Sequence, residues 1–275
     1  MKVKDFDLRQ TLECGQCFNF EKIDENEYAV VAHERLLHVK QEEDELIFLN
    51  ASDEDVRDIW IPYFDLERDY GEIKAKINEA DPRLESVTEQ YGGIRILNQE
   101  FVETLISFII SQNKNITHIK QIIRHISEAD GRPLGEIAGR AYYSFPNLEK
   151  LDTITEDDFR ALKTGFRAPY LRDAIDRMVS GEIEGEELRQ MSFADAKKRL
   201  MAIKGVGDKV ANCVLLFSLG FRNAFPVDVW IKRIMEELYF HKDTPKDEIE
   251  TFAADLFGEY GGYAQQYLFI YAREK

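Results

Sequence analysis

The first fifty residues alternate and turn in the manner of an antiparallel sheet. Along "CFNFEKIDENEYAVVAHERLLHVKQEEDELIFL" the apolar positions predict strands near 17–22, 27–32, 35–40 and 45–49, with "DEN" and "EED" as turns. From "SDEDVRDIWIPYFD" onward the spacing becomes helical, with Ser52 as N-cap and acids in the first turn. "NQEFVETLISFIISQNKNITHIKQIIRHISEADG" predicts two helices. Val102, Leu105, Ile106, Ile109 and Ile110 mark the stripe of the first, and Ile116, Ile119, Ile122, Ile123 and Ile126 that of the second. Gly131 closes the second, and the polar "SQNKN" between them reads as an ordinary interhelical loop. "APYLRDAIDRMVSG", "SFADAKKRLMAI", "DKVANCVLLFSLG", "PVDVWIKRIMEELY" and "GEYGGYAQQYLFIYAREK" complete an almost wholly helical second part. The expected fold class is α+β, with a sheet-containing domain over 1–97 and a helical domain over 98–275.

A chain of 275 residues suffices for one large domain or two ordinary ones, and 44% hydrophobic content suits a globular protein. No apolar run is long enough to span a bilayer, and "MKVKDFDLRQTLE" is too charged for a secretory signal. Three cysteines cannot build a disulfide framework, so an intracellular, reducing setting is expected; the expected state is a monomer. Cys14 and Cys17 form a C-x-x-C without a second pair at zinc-ligand spacing, and so read as packed or partly exposed thiols. The net charge of −16 opposes binding to phosphate chains, although a local basic face can act on an acidic protein.

The segment "KGVGDKVANC" joins two predicted helices, making a helix–hairpin–helix near 197–219. Gly205 and Gly207 allow backbone angles closed to other residues and a close approach by another chain. With Val206 between them, they place backbone amides at a helix N-terminus, a natural seat for phosphate. Lys209 falls just inside the second helix, where the helix dipole disfavours an ammonium. Cys213 follows on the same face. Asp228, in "FPVDVW", reads as the N-cap of the next helix. Taken singly, Lys209 is a phosphate-binding or solvated lysine and Asp228 an ordinary cap.

Together, the hairpin, the lysine and the following "PVD" resemble the helix–hairpin–helix base-excision DNA glycosylases, and specifically the 8-oxoguanine DNA glycosylases. The resemblance extends to "CGQCFNF", "SFIISQNKNI", "GFRAPYL" and "YGGYAQQYLF", six stretches in order over nearly the whole chain. It implies a bifunctional enzyme that flips 8-oxoguanine out of duplex DNA, excises it and cuts the strand by β-elimination, with no redox cofactor. Lys209 then matches the Schiff-base nucleophile and Asp228 the essential carboxylate. The endonuclease III branch, which carries a four-cysteine iron–sulfur site, is unlike this chain, because no cysteine follows Cys213.

The resemblance also assigns the base-contacting residues. 8-Oxoguanine carries an N–H at N7 where guanine has an acceptor, so one carbonyl can tell them apart. A mismatched buried polar pair costs about 1–3 kcal/mol. Gly15 matches the residue that supplies that carbonyl, Gln265 the amide that reads the pairing edge, and Cys213 and Phe269 the two side chains that sandwich the ring. Asn113 matches the residue entering the vacated gap, Phe166 the wedge beside it, and Arg167 a contact to the orphaned cytosine. His118 stands where a second arginine is expected, which predicts relaxed discrimination of the opposite base. Trp230 replaces a histidine that contacts phosphate. The carbonyls of Met201, Ile203 and Val206 match a monovalent-cation seat. Three other readings stay open: a glycosylase for another damaged purine, a non-catalytic DNA-binding protein, and a helical interaction protein.

Overall fold

Strand pairing begins later than the alternation predicts, because a short helix precedes it. The computed structural model describes residues 1–274. Helix α1 (Leu8–Glu13) starts at Asp7, whose carboxylate accepts from the Gln10 amide at 2.7 Å. Four strands follow as an antiparallel meander: β1 (Phe20–Asp24), β2 (Glu27–Ala32), β3 (Arg35–Glu42) and β4 (Glu45–Phe48). Val30 pairs with Phe20 on one side and Leu37 on the other. The expected 17–22 strand therefore begins only at Phe20, and residues 17–19 lead into it.

Ser52 caps the next segment as predicted, its hydroxyl accepting from the Asp55 amide at 3.1 Å. There α2 (Asp53–Asp55) and α3 (Ile61–Tyr63) flank a π-helical turn, Val56–Trp60. Trp60, Tyr63 and Phe64 pack with Leu8, Leu12, Val30, Leu37 and Leu46 into one apolar core. The remainder is helical: α4 (Tyr70–Ala80), α5 (Glu85–Gln90), α6 (Phe101–Ser111), α7 (Ile116–Asp130), then, past a strand pair, α8 (Leu148–Thr153), α9 (Glu156–Ala161), α10 (Ala168–Val179), α11 (Gly185–Gln190), α12 (Phe193–Met201), α13 (Asp208–Ser218), α14 (Val229–Met235), α15 (Lys246–Phe257) and α16 (Gly261–Glu274). These share a second, larger core, into which α4 and α5 also pack through Ile73, Ile77 and Val87. The N-terminal sheet followed by a helical core is the expected α+β arrangement.

The strand pair departs from the all-helical expectation: β5 (Pro133–Ile137) and β6 (Arg140–Tyr143) form a two-stranded hairpin. No helix among the described residues is long and apolar enough to cross a membrane.

The two cores meet at the "CGQC" segment. Cys14 belongs to the helical core and Cys17 to the sheet core. The fully buried Gln16 between them fixes the crossing: its Nε2 donates to the carbonyls of Thr11 (2.8 Å) and Arg95 (2.7 Å), and its Oε1 accepts from the Leu97 amide (2.9 Å). Arg95 in turn donates to the carbonyls of Lys4, Asp5, Asp65 and Arg68. A buried polar network satisfied at every end holds its members in one arrangement, and it delivers Gly15 to the edge of the helical core.

Candidate active site

Helices α12 and α13 are joined by the turn that holds "KGVG". Gly205 has φ +80°, and a Cβ there would lie 2.3 Å from the Tyr170 ring, so both backbone conformation and space demand glycine. Gly207 differs from the expectation. It caps α13 at φ −102°, ordinary backbone for any residue, and an added Cβ would meet nothing within 4 Å. Its openness leaves room for an approaching chain. Val206 is buried, and its amide donates to the Ile203 carbonyl at 3.0 Å, so that amide is already used inside the turn. The predicted phosphate seat thus rests on its exposed neighbours, Gly205 and Gly207. Met201, exposed, and Ile203, buried, lie in the same turn.

Lys209, half-buried in the first turn of α13, holds its ammonium 4.9 Å from the centroid of the Phe108 ring on α6. Among the described residues it makes no ion pair within 4 Å. One turn on, Cys213 is buried against it. Burial pushes that thiol up to about 11, with the Lys209 charge pulling the other way and Asp228 reinforcing the rise. Asp228 is the N-cap of α14: its Oδ1 accepts from the amides of Trp230 and Ile231, both at 2.9 Å. Trp230, 39% exposed, sits outside the cavity wall.

The opposing wall comes from α16 and the domain crossing. Gly15 has φ +87°, and a Cβ there would stand 3.5 Å from Phe269 Cε1. Gln265, on α16, is 4% exposed, and its Nε2 donates to the Pro226 carbonyl at 3.1 Å. Lys209, Asp228, Gly15, Cys213, Gln265 and Phe269 all line one cavity of about 50 Å³. Its walls also include Cys14, Phe108, Phe217, Pro226 and Gln266, which the motifs did not single out. Phe108 lies on α6 off the stripe that the sequence marked, on a helix buried nearly all round. The volume suffices for a few water molecules and is less than an oxidised purine needs. A larger cleft, about 760 Å³, opens at the Gly220 end of α13 but has no lysine in its lining.

The residues expected to handle the helix lie outside this cavity. Asn113 is exposed at φ +52° in the turn between α6 and α7, and His118 is exposed in the first turn of α7. Phe166 is 53% exposed. Arg167 is the exception. It is only 3% exposed, and its guanidinium bonds the carbonyls of Gln112 and Thr164 while stacking 4.2 Å above the Phe166 ring. The expected outward-reaching base contact is here turned inward. The cause is the carbonyl at the C-terminus of α6, which has no helical partner and takes the arginine instead. Arg167 thereby ties the Asn113 turn to the Phe166 wedge.

Cys14 and Cys17 are buried free thiols, and no cluster of metal-ligating side chains occurs among the described residues.

Comparison with known proteins gives the arrangement its relatives. Residues 1–105 match the family described as the N-terminal domain of 8-oxoguanine DNA glycosylase, and residues 106–259 match the HhH-GPD superfamily of base excision DNA repair proteins. The N-glycosylase/DNA lyase OGG1 of Arabidopsis thaliana is 29% identical over 96% of this chain and 76% of its own. A solved structure of Clostridium acetobutylicum 8-oxoguanine glycosylase/lyase with double-stranded DNA, cytosine opposite the lesion, superposes with a TM-score of 0.95. It is 41% identical over 99% of this chain and 93% of that one. The structure of MBOgg1 with a low-affinity DNA ligand superposes equally well, TM-score 0.95, at 45% identity over 99% and 93% of the two chains.

Proposed function

The chain belongs to the HhH-GPD superfamily of base excision DNA repair proteins, and from that footing we propose that it excises 8-oxoguanine from duplex DNA and cuts the strand at the abasic site. The kinship with 8-oxoguanine glycosylase/lyases over its whole length supports the substrate and both activities. The observation that carries the site assignment is convergence. Lys209, Asp228, Gly15, Cys213, Gln265 and Phe269 come from separate stretches of sequence and face one cavity. Residues 1–97 contribute Gly15, and residues 98–275 contribute the rest.

In this reading Asn113 fills the gap left by the extruded lesion while Phe166 wedges beside it. The Gly15 carbonyl accepts from N7–H, Gln265 reads the pairing edge, and Cys213 and Phe269 cover the two faces. Lys209 acts as the neutral amine. A bond forms from Nζ to C1′ as the glycosidic C1′–N9 bond breaks, and the departing base keeps the electron pair and takes up a proton. Loss of a proton from Nζ lets its electron pair form the C=N bond as C1′–O4′ breaks, and O4′ keeps that bond's electron pair and takes up a proton, giving the protonated Schiff base. It draws electrons from C2′, a proton leaves that carbon, and the bond to the 3′ phosphate oxygen breaks. Asp228, with Oδ1 committed to the helix cap, offers its other oxygen to the positive charge developing on the sugar. The neutral carbonyls of Met201, Ile203 and Val206 suit a hard monovalent cation, which would help the hairpin seat a phosphate.

The decisive experiment is borohydride trapping on duplexes carrying 8-oxoguanine or guanine, with Lys209→Gln alongside. A covalent adduct only with 8-oxoguanine, absent in the variant, is the expected result. Base release without an adduct would remove the lysine mechanism and leave the glycosylase. Binding without either would reduce the protein to a DNA clamp. A lesion panel separates the alternative of an alkylated purine, which presents no N–H at N7 to a carbonyl acceptor at Gly15.

A further inference from the structure

Within the cavity wall, hydrogen bonds run in one direction through three side chains. Gln265 Nε2 donates to the Pro226 carbonyl at 3.1 Å. Gln266 Nε2 donates to Gln265 Oε1 at 2.6 Å. Cys14 Sγ lies 3.5 Å from Gln266 Oε1 and 3.2 Å from the Thr11 carbonyl, so its one hydrogen is shared between the two acceptors. All three side chains are at least nine-tenths buried. The direction follows from chemistry alone. A proline carbonyl only accepts, so Gln265 must turn its NH₂ toward Pro226 and its oxygen toward Gln266. Gln266 must then present its NH₂ to that oxygen and its own oxygen to Cys14. The thiol can donate there because burial pushes it up to about 11 and keeps it protonated.

We propose that Gln266 is a positioning residue for base selection: it locks the Gln265 amide so that a carbonyl oxygen, with one lone pair still free, faces the pairing edge of the flipped base. This rests on the reading of the cavity as a base pocket. A fixed acceptor suits the N1–H and exocyclic N–H of a guanine-type edge. A rotated amide would present N–H groups, which suit the N1 acceptor of an adenine-type edge. The same chain couples that amide to Cys14, the neighbour of Gly15, so the two points that read the lesion are held to each other. Pro226 sets which end of the amide is the NH₂, and Gln266 holds the oxygen end in place, because without that donor a single hydrogen bond is left to resist rotation of the amide.

The test compares 8-oxoguanine with 8-oxoadenine in duplex DNA under single-turnover conditions. Both present N7–H to Gly15 and differ at the pairing edge, so their rate ratio isolates the amide. Gln266→Met keeps volume and removes the donor. The ratio of 8-oxoguanine to 8-oxoadenine excision is expected to fall about tenfold, the effect of one mismatched buried hydrogen bond. A purely structural role would slow both lesions alike and leave the ratio unchanged, which overturns the proposal. If Gln266→Met does not fold, Cys14→Ser and Cys14→Ala replace it. The hydroxyl should keep the wild-type ratio and the alanine should lower it, and equal ratios in the two overturn the proposal. Wild-type protein that fails to excise 8-oxoguanine would instead sink the reading of the pocket itself.

Discussion

Oδ1 of Asp228 accepts two backbone amides of α14, so under the proposed mechanism a structural duty and a catalytic one fall on the two oxygens of one carboxylate. They can be separated. Asparagine caps helices about as well as aspartate, so Asp228→Asn should hold its melting temperature while excision drops by about a hundredfold or more, the scale of one transition-state charge contact. Asp228→Ala should lose roughly 1 kcal/mol of stability as well. Paired thermal melts and single-turnover assays check both. The cap was legible in the sequence because proline and an apolar-periodic helix frame it. The burial of Gln265 was not, since a glutamine on a helix carries no sign of what packs over it. Nor was the inward turn of Arg167, which answers a carbonyl contributed from 55 residues away. With that guanidinium committed and His118 in place of a second arginine, excision opposite C, A, G and T should differ by less than about tenfold, measured at one salt concentration. A strong preference for C would show that Arg167 swings out on binding.

The hairpin's two glycines, alike in sequence, are distinct in structure. Gly205→Ala forces a Cβ into the Tyr170 ring at positive φ and should cost more than about 1 kcal/mol of stability. Gly207→Ala has ordinary backbone and open space, so the fold should be unaffected while affinity for duplex DNA weakens severalfold. Denaturant midpoints and binding isotherms distinguish the two. If Gly207→Ala binds normally, no phosphate comes close there. Periodicity found the long helices and the meander because each has a clear apolar face. It missed α1, six residues whose cap lies in a charged run, and the β5–β6 hairpin, whose short strands bury only Ile137 and so alternate weakly.

Across the whole molecule, the sheet and the helical core meet near Glu103 on α6, whose carboxyl is pushed up to about 8 by burial and then by the neighbouring Glu100. Cys17 and Tyr63 face it from the other domain and are themselves pushed up by burial. Between 4.5, the ordinary value, and 8 the folded protein keeps a proton that the unfolded chain has released. Stability therefore falls as pH rises through that window and levels off above it. Glu103→Gln should remove the decline, so its advantage in melting temperature over wild type should be larger near pH ~8.5 than near pH ~5. An equal difference at both would mean that the carboxyl titrates normally.

The cavity of about 50 Å³ puts a clock on recognition. A base leaving the stack meets a wall that must part before it can be read, while the helix behind it waits to take it back. The outcome is a race between parting and return. Under the proposed function, undamaged guanine, with no N7–H for the Gly15 carbonyl, would lose that race before Lys209 came within reach of its sugar.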